Sequence, residues 1–110
     1  MTVKDLQEAI GASLACGSAG LSKELSGCYI GDLLSLAMSK VQEKNVWITI
    51  QTNINIAAVA TLTEAGCILL CEGFSPDENT AEKAEAEEIP ILCSELSAYE
   101  LAGKLTELGI

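Results

Sequence analysis

Three short apolar runs recur along the chain: Val46-Trp47-Ile48-Thr49-Ile50, Cys67-Ile68-Leu69-Leu70-Cys71 and Ile89-Pro90-Ile91-Leu92-Cys93. None alternates between apolar and polar residues, so each reads as a strand buried on both faces. β-Branched and aromatic side chains make 46–50 the clearest strand. Pro90 stands at the start of the third run, where a missing N–H donor is tolerated. Strands of this kind alternating with helical segments predict an α/β fold, a parallel-sheet sandwich with right-handed crossovers. At 110 residues the chain reads as a single domain over 1–110, long enough to bury its own core.

The intervening segments carry helix punctuation. Thr2-Val3-Lys4-Asp5 is a capping-box start and Gly11 a stop, which predicts a helix over 3–10. Residues 12–30 are rich in small side chains and read as short strands at 13–16 and 28–30 joined by a Gly/Ser turn. Asp32 is the expected N-cap of a helix over 33–42, which Lys44-Asn45 ends. A nearly all-apolar helix begins at Asn55 and closes at Gly66, and its composition predicts burial on more than one side. Ser75-Pro76-Asp77-Glu78 reads as N-cap, Pro at N1 and capping Glu, opening an acidic, solvated helix to about residue 87. Ser97-Ala98-Tyr99-Glu100 is a second capping box, opening a last helix to about residue 108.

Composition narrows the chemistry. Six Lys, no Arg and no His stand against sixteen Asp and Glu, a formal charge of −10. Phosphate backbones are bound by displacing counterions with cations, so nucleic acid is excluded as a partner. Without His the commonest general base and metal ligand are missing, and without Arg the bidentate phosphate clamp is missing. Neither a GxGxxG nor a GxxxxGK[ST] loop is present. No catalytic residue is singled out. The N-terminus lacks the pattern of a signal peptide, and the apolar runs are too short to span a bilayer, so the expectation is a cytoplasmic protein without a membrane partner.

Five cysteines, at 16, 28, 67, 71 and 93, include no CxxC pair. On a strand, Cys67 and Cys71 share a face about 13 Å apart, too far for a disulfide. All five therefore read as small core residues. A cysteine-based redox or metal protein is the alternative reading.

Ligands in open parallel sheets bind beyond the carboxyl ends of the strands. Four polar turns fall there: 29–32, 51–55, 72–75 and 94–97. The 51–55 turn is the richest, with amide and hydroxyl groups at a helix N-terminus, suited to an anion or a nucleobase edge. The candidate ligand contacts are Asp32, Gln51, Thr52, Asn53, Asn55 and Ser94. The simpler reading makes Thr52 and Asn55 helix caps. Asp32, Glu72 and Glu95 form a further candidate set, carboxylates that would gather Mg²⁺ at this edge; no cofactor is otherwise expected.

The segments Gly27-Cys28-Tyr29-Ile30-Gly31-Asp32-Leu33-Leu34-Ser35, the long stretch from Asn45-Val46-Trp47 through Gln51-Thr52-Asn53-Ile54-Asn55 to Val59-Ala60, and Ile89-Pro90-Ile91-Leu92 together resemble stand-alone DRTGG-domain proteins. The resemblance runs from Thr2 to about Leu105, and Gly-Cys-Tyr-Ile-Gly-Asp stands where the literal signature lies. It implies a regulatory module. Similar domains occur in phosphotransacetylases and in CBS-domain pyrophosphatases, where they lie at a dimer interface beside adenine-nucleotide-binding modules. A similar fold forms the N-terminal domain of HPr kinase/phosphorylase.

The leading expectation is a non-enzymatic regulatory or ligand-sensing domain acting through dimerisation or docking to a protein partner. The alternative is an adenine-nucleotide-binding module using the 51–55 turn. A homodimer is expected because the 55–65 helix, together with Tyr29, Leu33, Leu36 and Met38, presents more apolar surface than one small sheet covers.

Overall fold

A computed structural model describes all residues, Met1–Ile110. Five strands, β1 (Ser13–Cys16), β2 (Cys28–Ile30), β3 (Val46–Thr49), β4 (Cys67–Leu70) and β5 (Ile91–Cys93), form one sheet in the order β1-β5-β4-β3-β2. β2 to β5 are parallel neighbours in sequence order, as the apolar runs predict. β1 departs from an all-parallel sheet: it pairs antiparallel with β5 and its register shifts between Leu14 and Cys16. As an edge strand it needs little burial, and three of its four residues are at least partly exposed.

Five helices cover the sheet: α1 (Val3–Ile10), α2 (Leu34–Lys40), α3 (Asn55–Thr63), α4 (Glu78–Ala86) and α5 (Ala98–Glu107). The period-two geometry of a strand splits each apolar run between two cores. Trp47, Ile68, Leu70 and Ile91 face α2, α3 and α4. Val46, Ile48, Cys67, Leu69 and Leu92 face α1 and α5. The crossovers β2-α2-β3-α3-β4-α4-β5 thus all lie on one face, and only the chain leaving β5 turns to the other.

Local signals hold where the bonding is local. Both capping boxes form, Thr2 with Asp5 and Ser97 with Glu100. The Thr2 hydrogen bonds hold the Asp5 carboxyl below the usual range. Gly11 closes α1 in the left-handed conformation. Other expectations are corrected. α2 starts at Leu34 with no side-chain cap, because Asp32 is bonded elsewhere. α3 ends at Glu64, in the left-handed region at φ 58°, and not at Gly66. α4 begins at Glu78 after Asp77, three residues past Ser75, and no side chain caps it. α3 buries Ile56, Ala57, Val59 and Ala60 on one side only, leaving Leu62 69% exposed. Gly17, at φ +82°, is required by close approach, since a Cβ there would overlap the backbone of Ile89 and Pro90.

Cys16, Cys67 and Cys71 are buried as the core reading expects, and Cys93 is half-buried. Cys28 is the exception: it is exposed on the edge strand β2. No helix is long and apolar enough to cross a membrane.

Candidate functional site

The parallel strands deliver their carboxyl ends, and the N-termini of α2 to α5, to one edge of the sheet. Here the chain must turn from strand to helix, and the turn residues satisfy one another first. Asp32 Oδ1 accepts from Thr49 Oγ1 at 2.8 Å and from the backbone N of Ile50 at 3.0 Å. Gln51 Nε2 donates to the Asp32 carbonyl at 2.9 Å, and Asn53 Nδ2 donates to Gln51 Oε1 at 3.1 Å. Asn53 Oδ1 in turn accepts from the backbone N of Asn55 at 2.9 Å. The carbonyl of Thr52 accepts from Thr80 Oγ1 and from the N of Asp77, tying this turn to the start of α4.

Asp32, Gln51, Asn53 and Asn55 are therefore one continuous network, with Thr52 anchored beside it. The turn-building work falls to Asn53, and neither Thr52 nor Asn55 is the N-cap of α3, a position held by Ile54. Ser94 lies apart: its hydroxyl accepts from the N of Leu96 at 3.1 Å, shaping the β5–α5 turn.

Two concavities open on this edge. One, of about 240 Å³, has an apolar floor of Ile30, Ile48, Ile50 and Cys71 with Asp32 and Glu72 among its lining. The other, of about 360 Å³, is lined by Gly73, Phe74, Ser75, Ser94 and Glu95 with Gly11 and Ser13. The residues Gln51, Thr52, Asn53 and Asn55 line neither.

The second concavity follows from topology. After β4 the chain turns to α4 on one face, and after the adjacent β5 it turns to α5 on the other. Divergent loops of this kind make the crevice in which open α/β sheets bind ligands. In this molecule the crevice is partly zipped, because Glu72 N donates to the Leu96 carbonyl and Gly73 N to the Ser94 carbonyl, both at 2.9 Å. Gly73 sits at φ +79°, and a Cβ there would press on the Glu95 carboxylate. Sequence reasoning places Gly73, Phe74 and Ser75 only in a polar turn and Glu95 only in the Mg²⁺ set, and does not bring them together as one site. Finding them requires knowing on which face α4 and α5 pack.

The electrostatics of this edge are acidic. Glu78 and Glu100 occupy the first turns of α4 and α5, where a carboxylate already answers the positive end of the helix dipole. Asp32, Glu72 and Glu95 do not converge into a group able to hold a metal ion, which corrects the Mg²⁺ reading: Asp32 and Glu72 line one concavity and Glu95 the other. The thiols are held protonated. Burial pushes Cys67 up to about 12, and burial with the nearby Glu85 charge pushes Cys16 up to about 11. Cys71 is raised by burial and by the charge of Asp32, and Cys93 by burial. A thiolate nucleophile or redox centre needs the opposite shift.

The model of the DRTGG domain family matches residues 5–108. Among solved structures, the chain is similar to the CBS and DRTGG domains of the regulatory region of Clostridium perfringens pyrophosphatase, complexed with the activator diadenosine tetraphosphate. The TM-score is 0.71 at 10% identity, covering 94% of this chain and 45% of that one. The chain thus spans less than half the length of that structure, and the likeness is one of fold. No curated protein sequence matches the chain.

Proposed function

Because the chain belongs to the DRTGG-domain family, we propose that it is a cytoplasmic regulatory or ligand-sensing module that works by contact, through dimerisation or docking to a protein partner, and turns over no substrate. The observation that carries this reading is the apolar surface left on the helix layer. Leu33, Leu36 and Met38 at and along α2, and Leu62 on the neighbouring α3, are all exposed, Leu33 to 65%. Tyr29, expected to join them, is instead half-buried, with its ring against Gly31. These four large apolar side chains flank the α2–α3 pair, Leu36 and Met38 on either side of the buried Ala37, and a two-fold dimer would bury the same groups on both copies. The edge turns support the absence of catalysis, since the side chains of Asp32, Thr49, Gln51, Asn53 and Ser94 are spent on holding the loops and the Thr49 hydroxyl beside the Asp32 carboxylate is almost wholly buried. Sedimentation equilibrium at low and high ionic strength tests the reading: a dimer that tightens with salt supports it, because screening relieves a repulsion of −10 per chain.

The second reading is an adenine-nucleotide module, favoured by the activator bound in the pyrophosphatase regulatory region. Asp32 and Ser94, which line the two concavities, would be its contacts, with Gln51, Thr52, Asn53 and Asn55 supporting the loop. Thermal-shift titration with AMP, ATP and diadenosine tetraphosphate, with and without Mg²⁺, tests it. A saturable rise in Tm supports the nucleotide; unchanged melting removes it.

A further inference from the structure

The lysines of this chain lie toward one end of the sheet, whereas its carboxylates lie at both. Lys23 and Lys44 lie in the segments entering β2 and β3, and Lys23 Nζ donates to the Glu88 carbonyl at 2.8 Å just before β5. Lys40 ends α2, and Lys83 and Lys104 occupy the last turns of α4 and α5. Lys4 belongs to the first turn of α1, whose backbone is bonded to Leu21 and Lys23. All six lysines therefore stand at or toward the amino ends of the parallel strands. The carboxyl edge holds Asp32, Glu72, Asp77, Glu78, Glu95 and Glu100 without one cation, and both ion pairs of the molecule, Met1–Glu24 and Lys83–Glu87, are made elsewhere.

The same edge carries exposed apolar side chains in the same turns. Ile30 ends β2, Ile50 and Ile54 belong to the β3–α3 turn, Phe74 to the β4–α4 turn, and Tyr99, 89% exposed, to the first turn of α5. Ile30 and Ile50 line one concavity with Asp32 and Glu72, and Phe74 lines the other with Glu95, while Tyr99 and Glu100 line a separate hollow along α5 that also holds Lys104.

We infer that this carboxyl edge is a docking surface for a basic protein segment, one that interleaves Lys or Arg with apolar side chains. The inference rests on the regulatory reading and names the partner's chemistry. Charge complementarity selects it over the other occupants. A second copy would set six carboxylates against six, and a polyphosphate would meet carboxylates at helix N-termini where it needs free N–H groups and cations. The concavity of about 240 Å³ is shaped for one long basic side chain: isoleucines for the aliphatic stem, with Asp32 and Glu72 for the charged head. The cavity at the opposite end, about 390 Å³, sets Glu24, Glu43, Glu64 and Glu87 against Lys23 and Lys44, so its carboxylates have cations beside them and it offers no such single sign.

The test is fluorescence anisotropy with a labelled peptide of about a dozen residues alternating lysine with leucine and phenylalanine. Glu72→Gln/Glu95→Gln should weaken binding roughly fivefold, because two rim charges are lost without removing any hydrogen bond. Glu43→Gln/Glu64→Gln, the same charge change at the other end, should shift it less than about twofold. A peptide with serine in place of its leucines and phenylalanines should bind more weakly still. Equal losses in both double variants, equal binding of the serine peptide, or no binding by the basic apolar peptide would each overturn the inference. A salt-tightened dimer seen by sedimentation alongside such a result would leave the regulatory reading standing and remove only this partner.

Discussion

Asp32 and Thr49 meet at 2.8 Å, the hydroxyl donating to the carboxylate, and this contact locks the β2–α2 turn onto the end of β3. Thr49 is almost wholly buried, and its Oγ1 also accepts from the N of Gln51. Thr49→Val removes both bonds while keeping the shape. Unfolding free energy should fall by about 1–3 kcal/mol, the range for a hydrogen bond to a charged group. Asp32→Asn should cost less, since an amide oxygen still accepts from Thr49 and Ile50. A urea double-mutant cycle checks the pairing: additive losses would mean the two side chains do not support each other.

Trp47 is fully buried in the core beneath α2 and α3, and its Nε1 donates to the Gly31 carbonyl at 3.0 Å. Trp47→Phe loses that bond and leaves a void, so the expected loss is about 2–4 kcal/mol by chemical denaturation followed by circular dichroism. A loss below about 0.5 kcal/mol, within the range of surface substitutions, would mean that the indole is not packed as described.

Three thiols have strongly raised values, and the two that are buried, Cys16 and Cys67, make stability fall in alkali. In the unfolded chain a thiol near the ordinary value of 9.0 releases its proton first, while folded Cys16 and Cys67 hold theirs to about 11 and about 12. Between these values the folded state binds more protons, so stability is fully present below about pH 9 and is lost as pH rises through the folded values. Each thiol contributes a slope of about −1.4 kcal/mol per pH unit in that window. Urea midpoints at pH 8 and pH 10.5 should differ in wild type and differ less in Cys67→Ala. Identical shifts in the two proteins would assign the effect to other groups.

Gly73 stands in the left-handed region, where an added Cβ would meet the Glu95 carboxylate. Gly73→Ala should destabilise by about 1–2 kcal/mol through backbone strain alone. A neutral or stabilising result in thermal melts would show that the β4–α4 turn relaxes freely.

The parts of the fold that were legible in the sequence are those whose partners are near in the chain. The boxes Thr2/Asp5 and Ser97/Glu100 span a single helical turn, and the runs at 46–50, 67–71 and 89–93 record two-sided burial directly. The misread signals are residues whose side chains serve distant groups. Asp32 looks like a cap and instead reaches Thr49 and Ile50. Gly66 looks like a helix stop, yet its small size is set by Leu25 and the Lys44 carbonyl, which a Cβ would meet. The candidate contacts split for the same reason. The 51–55 turn is rich in polar groups, but they bond to one another, whereas the crevice depends on α4 and α5 lying on opposite faces, which local sequence does not record.

Sedimentation equilibrium of a Leu36→Ser/Met38→Ser variant beside wild type decides whether this chain works by contact through the exposed apolar side chains of its helix layer. Wild type should sediment as a dimer whose association strengthens with salt. The variant should fold as well as wild type, because both side chains are exposed, yet sediment near the 11.5 kDa of one chain. Wild type at the mass of one chain in both low and high salt, at high micromolar concentration, would contradict the claim, as would a variant that dimerises as tightly as wild type.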